Sequence, residues 1–160
     1  MISGIPSVAL PLYWEEAAKL LEPAVKRSGG RMTLDLMYRQ LMARDTQLWA
    51  AFDQHGEMLG AWTSQINIYA GQKVCELLYC GGRNIQSWLD SGLDITEAWA
   101  CSKGCDSITI VGRTGWGRIT EHRGYGHFAT IIEKKLNYGQ VERRSVSAAT
   151  DGTDDTDANV

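Results

Sequence analysis

The sequence predicts an α+β domain of three-layer character: a mixed sheet with an antiparallel N-terminal meander, flanked by about four helices. Three observations carry this. As far as Ala43, apolar residues recur at helical spacing. From Gln47 the period drops to two, with turn residues between the runs. After Gly82 helical and strand-like segments alternate. A chain of 160 residues with 44% apolar and 22% charged residues suits one soluble domain with a single core.

Trp14, Ala17, Ala18, Leu21 and Val25 predict an amphipathic helix over Tyr13–Arg27, with Pro23 expected to kink or split it. Ser7–Leu12 could supply an opening strand before it. Thr33 is an N-cap for a helix over Leu34–Ala43, whose stripe is Leu34, Met37, Tyr38, Leu41 and Met42. Gln47–Asp53, Met58–Ala70 and Lys73–Tyr79 predict the three meander strands, turned at His55-Gly56 and Gly71-Gln72. Asn84–Asp90 reads as a short helical turn. Leu93–Lys103 reads as a helix with Ile95, Ala98 and Trp99 inward and Gly104 at its C-cap. A strand over Ser107–Val111, a short helix over Gly115–His122 and a last strand over Gly126–Leu136 complete the order.

Composition excludes several classes. Met1–Tyr13 lacks the basic n-region and apolar run of a signal peptide, and no stretch reaches the roughly 20 apolar residues of a membrane span. A product made and assembled in the cytoplasm is the expectation, without membrane contact. A net charge of −3 argues against polyanion binding. Arg113, Arg118 and Arg123 around Trp116 therefore read as the solvated face of a helix rather than a nucleic-acid stacking surface. Cys75, Cys80, Cys101 and Cys105 do not predict zinc: Cys75 and Cys80 stand an odd distance apart on a strand, which points them to opposite faces, and all four read as small buried hydrophobes. Trp62, Trp88 and Trp99 read as core or interface anchors.

From Gly139 the character shifts. Residues 1–138 read as the folded domain, and Gly139–Val160 as an acidic extended tail with almost nothing to bury. Five acidic residues against Arg143 and Arg144 give this tail the chain's whole net charge of −3.

The run Ser107–Tyr125, SITIVGRTGWGRITEHRGY, gives a strand, a short helix and a Gly-Tyr exit. With the element order of the whole chain, it resembles the GNAT superfamily of acetyltransferases over about Pro6 to Tyr138. The resemblance implies a pattern Asn-x-x-Ala-x-x-x-Tyr ahead of a Gly-Phe pair. Gly124-Tyr125 matches the pair, and counting back puts Arg113, Trp116 and Thr120 at the Asn, Ala and Tyr positions. In such enzymes that tyrosine is the general acid, a role threonine fills poorly because it has no ionisation near neutral pH. The family's CoA-pyrophosphate loop, an Arg/Gln-x-x-Gly-x-Gly/Ala run at a helix N-terminus, should fall near Asn84–Leu89. There the sequence is NIQSWL, with Trp88 and Leu89 where space is needed. If CoA is bound at all, Gly81, Gly82, Arg83 and Asn84 are the candidate ligands. Glu76 is a weak candidate base, set against a solvent-facing position. His55, His122 and His127 lie in or near turns.

More narrowly, Tyr79–Tyr125 is similar to small GNAT-like proteins of tailed bacteriophages. That similarity implies a virion protein without catalysis or cofactor, internal, portal-proximal or at the head–tail junction. It would dock in multiple copies on other virion proteins through Gly139–Val160. The alternative is an acetyl-CoA-dependent N-acyltransferase.

Overall fold

The computed structural model describes residues 1–136. Five strands form one sheet in the order β1 (Ile2–Ile5), β2 (Gln47–Phe52), β3 (Met58–Tyr69), β4 (Gln72–Gly82), β5 (Ser107–Ile110). The first four are antiparallel neighbours, and β5 runs parallel to β4. Helices α1 (Leu10–Lys26) and α2 (Leu34–Ala43) lie on one face; α3 (Leu89–Ser102) and the short α4 (Gly115–Thr120) lie on the other. The predicted α+β class with its N-terminal meander is the class observed.

The opening strand is Ile2–Ile5, not Ser7–Leu12. Ser7–Ala9 forms a 3₁₀ turn and α1 starts at Leu10, because Pro11 fits a helix's first turn, where its missing N–H is no loss. The helix also runs unbroken through Pro23, which falls in its last turn. Thr33 caps α2 as expected, its hydroxyl accepting from the Leu36 N–H at 3.1 Å. The β3–β4 turn is Ala70-Gly71, both at positive φ, the conformation that matches strand twist in a two-residue hairpin.

A β-bulge sits between the bonded pairs Thr63↔Tyr79 and Ser64↔Leu77, leaving Leu78 as the extra residue. The bulge corrects the expectation for Cys75 and Cys80. The inserted residue restores phase, and both cysteines join the apolar cluster under α3. Cys75 is buried, Cys80 and Cys105 are half-buried, and Cys101 is exposed. Among the described residues no group of three or more His, Cys, Asp or Glu is placed to hold a metal.

Helix α3 starts four residues before the predicted Leu93, and its phase differs. The buried stripe is Leu89, Gly92, Leu93, Thr96 and Ala100, whereas Ile95 is exposed. Gly104 does follow the helix in the left-handed region, at φ +71°. The predicted last strand over Gly126–Leu136 is not formed. The stretch carries no regular structure, and Phe128 and Ile132 are each 92% exposed. Strand-forming residue types make a strand only when an edge accepts their hydrogen bonds, and no strand among the described residues does so here. The acidic run Gly139–Val160 lies outside the described residues.

Gly81 shows how tightly α1 seats on β4. A Cβ there would stand 1.8 Å from the Leu20 carbonyl oxygen, a backbone atom with nowhere to go. Gly117 on α4 has nothing within 4 Å. Gly81→Ala should therefore lower stability by about 3 kcal/mol, while Gly117→Ala should leave it unchanged or raise it by about 0.5 kcal/mol. Urea unfolding midpoints of the two variants check both the size and the opposite sign.

Candidate functional site

The sheet holds one built-in gap. Strand β5 pairs with β4 only over Val74–Leu77, and the last bond is from the Val111 N–H to the Leu77 carbonyl at 2.9 Å. Beyond it β4 continues through Leu78–Gly82 paired only with β3, while the segment after β5 turns off through Gly112 into α4. In an open sheet with parallel strands, ligands bind where neighbouring strands diverge at their carboxyl ends. The gap is walled by Leu78, Cys80, Val111 and Trp116 and roofed by the start of α3.

Its own side chains fill it. About 40 Å³ of open volume remains, roughly the share of one water in the liquid and far below the ~300 Å³ at which small-molecule sites begin. The filler is Trp88, 4% exposed, stacked on Trp62 with ring centroids 5.4 Å apart and planes 6° from parallel. Its indole N–H donates to the Arg83 carbonyl at 2.9 Å. The stack continues to Trp49, 6.4 Å from Trp62, whose ring meets the Trp99 ring edge-on at 5.3 Å. The two buried inner indoles are satisfied as well: Trp62 donates to the Thr96 hydroxyl at 3.1 Å and Trp49 to the Ser64 hydroxyl at 2.8 Å. Glycines make the room. A Cβ at Gly60 would lie 2.3 Å from the Trp88 ring, and one at Gly92 2.9 Å from the Trp62 ring.

Of the residues that resemblance puts forward, Trp116 walls this gap, while Thr120, Glu76, Gly81, Gly82, Arg83 and Asn84 do not line it. Thr120 is buried, and its hydroxyl donates to the Trp116 carbonyl at 2.8 Å, the usual back-bond of a helical threonine. Glu76 accepts from the Asn67 amide and the Tyr69 hydroxyl, each at 2.8 Å, in the half of β4 that pairs with β5, and does not line the gap. Gly81 and Gly82 belong to the β3–β4 ladder, paired with Ala61 and Gly60. The Arg83 N–H is spent on the Leu59 carbonyl at 2.8 Å, and its guanidinium pairs with Glu57 at 2.9 Å. Asn84 turns the chain at φ +50°. His55 contacts Gln54, His122 contacts Asp90 and His127 contacts Thr130, so the three imidazoles are dispersed over separate contacts.

Arg123 is the residue that sequence reasoning placed wrongly. It is not on a solvated face. Its side chain is 16% exposed and lies on three acids of α3: Asp94 at 2.5 Å, Glu97 at 3.1 Å and Asp90 at 3.8 Å. Tyr125 donates to Glu97 at 2.8 Å, and burial, then that bond, pushes its phenol above the usual range. The Tyr125 hydroxyl is committed to Glu97, and the residue does not line the gap, so it does not stand there in place of the missing tyrosine. The spacing Asp90, Asp94, Glu97 is a one-face helical pattern that sequence could have offered as an arginine partner. Arg113 and Arg118 are exposed, as expected for a solvated face.

A second cleft of about 670 Å³ opens where β1 ends and β2 begins, lined by Ser7, Gln40, Arg44, Gln65 and Trp99 among others. None of the candidate residues above lines it.

With this geometry in hand, comparison with known proteins is informative at the level of fold. No family model matches the chain, and no curated protein matches it. Solved structures do. The BH1408 protein from Bacillus halodurans, solved as a tetramutant, superposes with a TM-score of 0.65 at 10% identity, covering 85% of this chain and 99% of its own. A ribosomal-protein-alanine N-acetyltransferase from Brucella melitensis biovar Abortus 2308 gives 0.63 at 11% identity, covering 85% and 99%. An aminoglycoside acetyltransferase from an uncultured soil metagenomic sample, solved with sisomicin, gives 0.60 at 11% identity, covering 86% and 96%. The fold of this chain is the GNAT acetyltransferase fold. At such identities the likeness concerns the fold and carries no substrate across.

Two outcomes are expected. Trp88→Ala should lower stability by about 3 kcal/mol through the cavity it leaves, and should raise exposure of the Trp62 indole, read as a red shift of tryptophan emission. Burial pushes the Cys75 and Cys80 thiols up to about 12, so at pH 8 almost no reactive thiolate is present at either. In the native protein a thiol reagent should modify exposed Cys101 first, and Cys75 and Cys80 only after denaturant is added. Peptide mapping of the labelled protein checks this.

Proposed function

We propose that this chain is a non-catalytic protein of GNAT fold that acts by docking on other proteins. The observation that carries the reading is the Trp88 ring seated in the β4–β5 gap. Acetyl-CoA does not fit the residues present. The gap holds about 40 Å³, the Arg83 N–H that would meet a phosphate is already bonded, and the Thr120 hydroxyl is turned onto backbone. A cofactor would have to displace a stacked, hydrogen-bonded indole before reaching any of them. The setting we propose, a particle of a tailed bacteriophage with Gly139–Val160 as the docking segment, is supported by the sequence resemblance over Tyr79–Tyr125.

A second reading, an acetyl-CoA-dependent N-acyltransferase, is favoured by the names of the fold neighbours, among them the Brucella and soil-metagenome enzymes. It requires Trp88 to leave the gap.

Calorimetric titration with acetyl-CoA separates the two. The docking reading expects no saturable heat up to millimolar ligand with the full chain, whereas a saturating isotherm would establish the acyltransferase reading. Mass spectrometry of purified particles tests the setting, and absence of the chain from virions would remove it.

A further inference from the structure

The cleft where β1 ends and β2 begins has about 670 Å³ of open volume, inside the range of ~300–1,000 Å³ in which small-molecule sites fall. It shares no lining residue with the filled gap between β4 and β5. Ile5, Leu10, Leu41 and Leu48, all buried, give it apolar walls, and Trp99 adds a half-buried ring. The rest of the lining is mostly polar and carries two charges, at Arg44 and Asp45. Apolar walls with a few polar groups suit a small amphiphilic ligand.

Arg44 closes α2 at φ +65° and ψ +20°. Helices ordinarily place glycine in this left-handed position, because a Cβ there crowds the backbone. A large residue kept in a strained conformation directs attention to what its side chain does. The Arg44 side chain is exposed and makes one hydrogen bond among the described residues, from Nε to the Ser7 hydroxyl at 3.2 Å. No carboxylate among the described residues pairs with it. Its two Nη groups are therefore left to a ligand, and a guanidinium's planar fork of N–H donors matches a carboxylate. In the same lining the Thr46 hydroxyl is buried without a partner among the described residues. Such a group is ordinarily met by a ligand or an ordered water. Asp45 is exposed on the same rim, where its charge opposes a second negative charge on anything bound.

We propose that this cleft binds a small organic monocarboxylate with an apolar body. The carboxylate takes the Arg44 fork, the body lies against Trp99 and the apolar walls, and Asp45 turns dianions away. The described chain leads away from the site: Glu133 pairs with Arg31 in the α1–α2 connection, at the opposite end of α2 from Arg44. The site stands whether or not the domain catalyses a reaction.

NMR titration of the full chain with three probes of one body tests it: hydrocinnamate, its neutral amide hydrocinnamide, and the dianion benzylmalonate. Hydrocinnamate should saturate with a Kd of about a millimolar or tighter, shifting the Trp99 indole N–H signal and leaving that of Trp88 in place. The amide and the dianion should each bind at least about tenfold more weakly. Arg44→Gly removes the fork and also relieves the left-handed backbone, so its melting temperature should hold or rise while hydrocinnamate binding is lost. Arg44→Gln, which keeps the strained backbone, should lose binding to the same extent. No saturation of the wild type up to about 10 mM, equal affinity for the amide, or binding that survives Arg44→Gly would each overturn the proposal.

Discussion

The ladder of indole rings between the sheet and α3 is the constraint from which the rest of this structure follows. Trp88, Trp62, Trp49 and Trp99 form a continuous aromatic layer. Each stacked or edge-on pair contributes about 0.5–1.5 kcal/mol beyond the area it buries. An indole buried without a partner for its N–H would cost about 1–3 kcal/mol. The hydroxyls of Ser64 and Thr96 and the carbonyl of Arg83 remove that cost at the three buried rings. They also fix the phase of α3, since Thr96 must face Trp62 and Gly92 must let the ring pass.

That layer decides what the strand divergence can be. In outline the gap between β4 and the Val111–Trp116 turn is a ligand cleft, placed where a sheet of this topology offers one. Because the aromatic layer extends one ring further, to Trp88, the cleft becomes part of the core. The α4 side is then held by charge rather than by a ligand: Arg123 lies across Asp90, Asp94 and Glu97, with Tyr125 bonded to the last. A guanidinium this sheltered needs its acids, and together they pin the end of α4 to α3. Packing has filled this cleft, and the open one lies elsewhere, where β1 ends and β2 begins.

Much of the architecture could be read from pattern. The stripe Met37–Leu41, the Thr33 cap, the meander and Gly104 after α3 each express a local rule, and local rules survive tertiary context. Trp88 was legible too, since a large ring in a loop that should cradle phosphate is a steric statement needing no coordinates. The misplacements share a different cause. The strand at Ile2–Ile5 exists because β2 offers it an edge. The bulge at Leu78 shifts Cys80 to the face of Cys75. The α3 stripe is set by Trp62, not by the run of apolar residues that included Ile95. Gly126–Leu136 has the right residues for a strand, and no edge among the described residues of its own chain accepts it.

The sequence by itself determined the order and type of the elements, the class of fold and the absence of the expected tyrosine at Thr120, because these depend on periodicity, capping and residue identity alone. Tertiary structure decided that Gly126–Leu136 pairs with no strand among the described residues, that Arg123 is sheltered among acids far along the chain, and that the cleft between β4 and β5 is full. These are statements about which surfaces meet. A chain carries no record of that until its strands have chosen their neighbours and the rings between them have claimed the space.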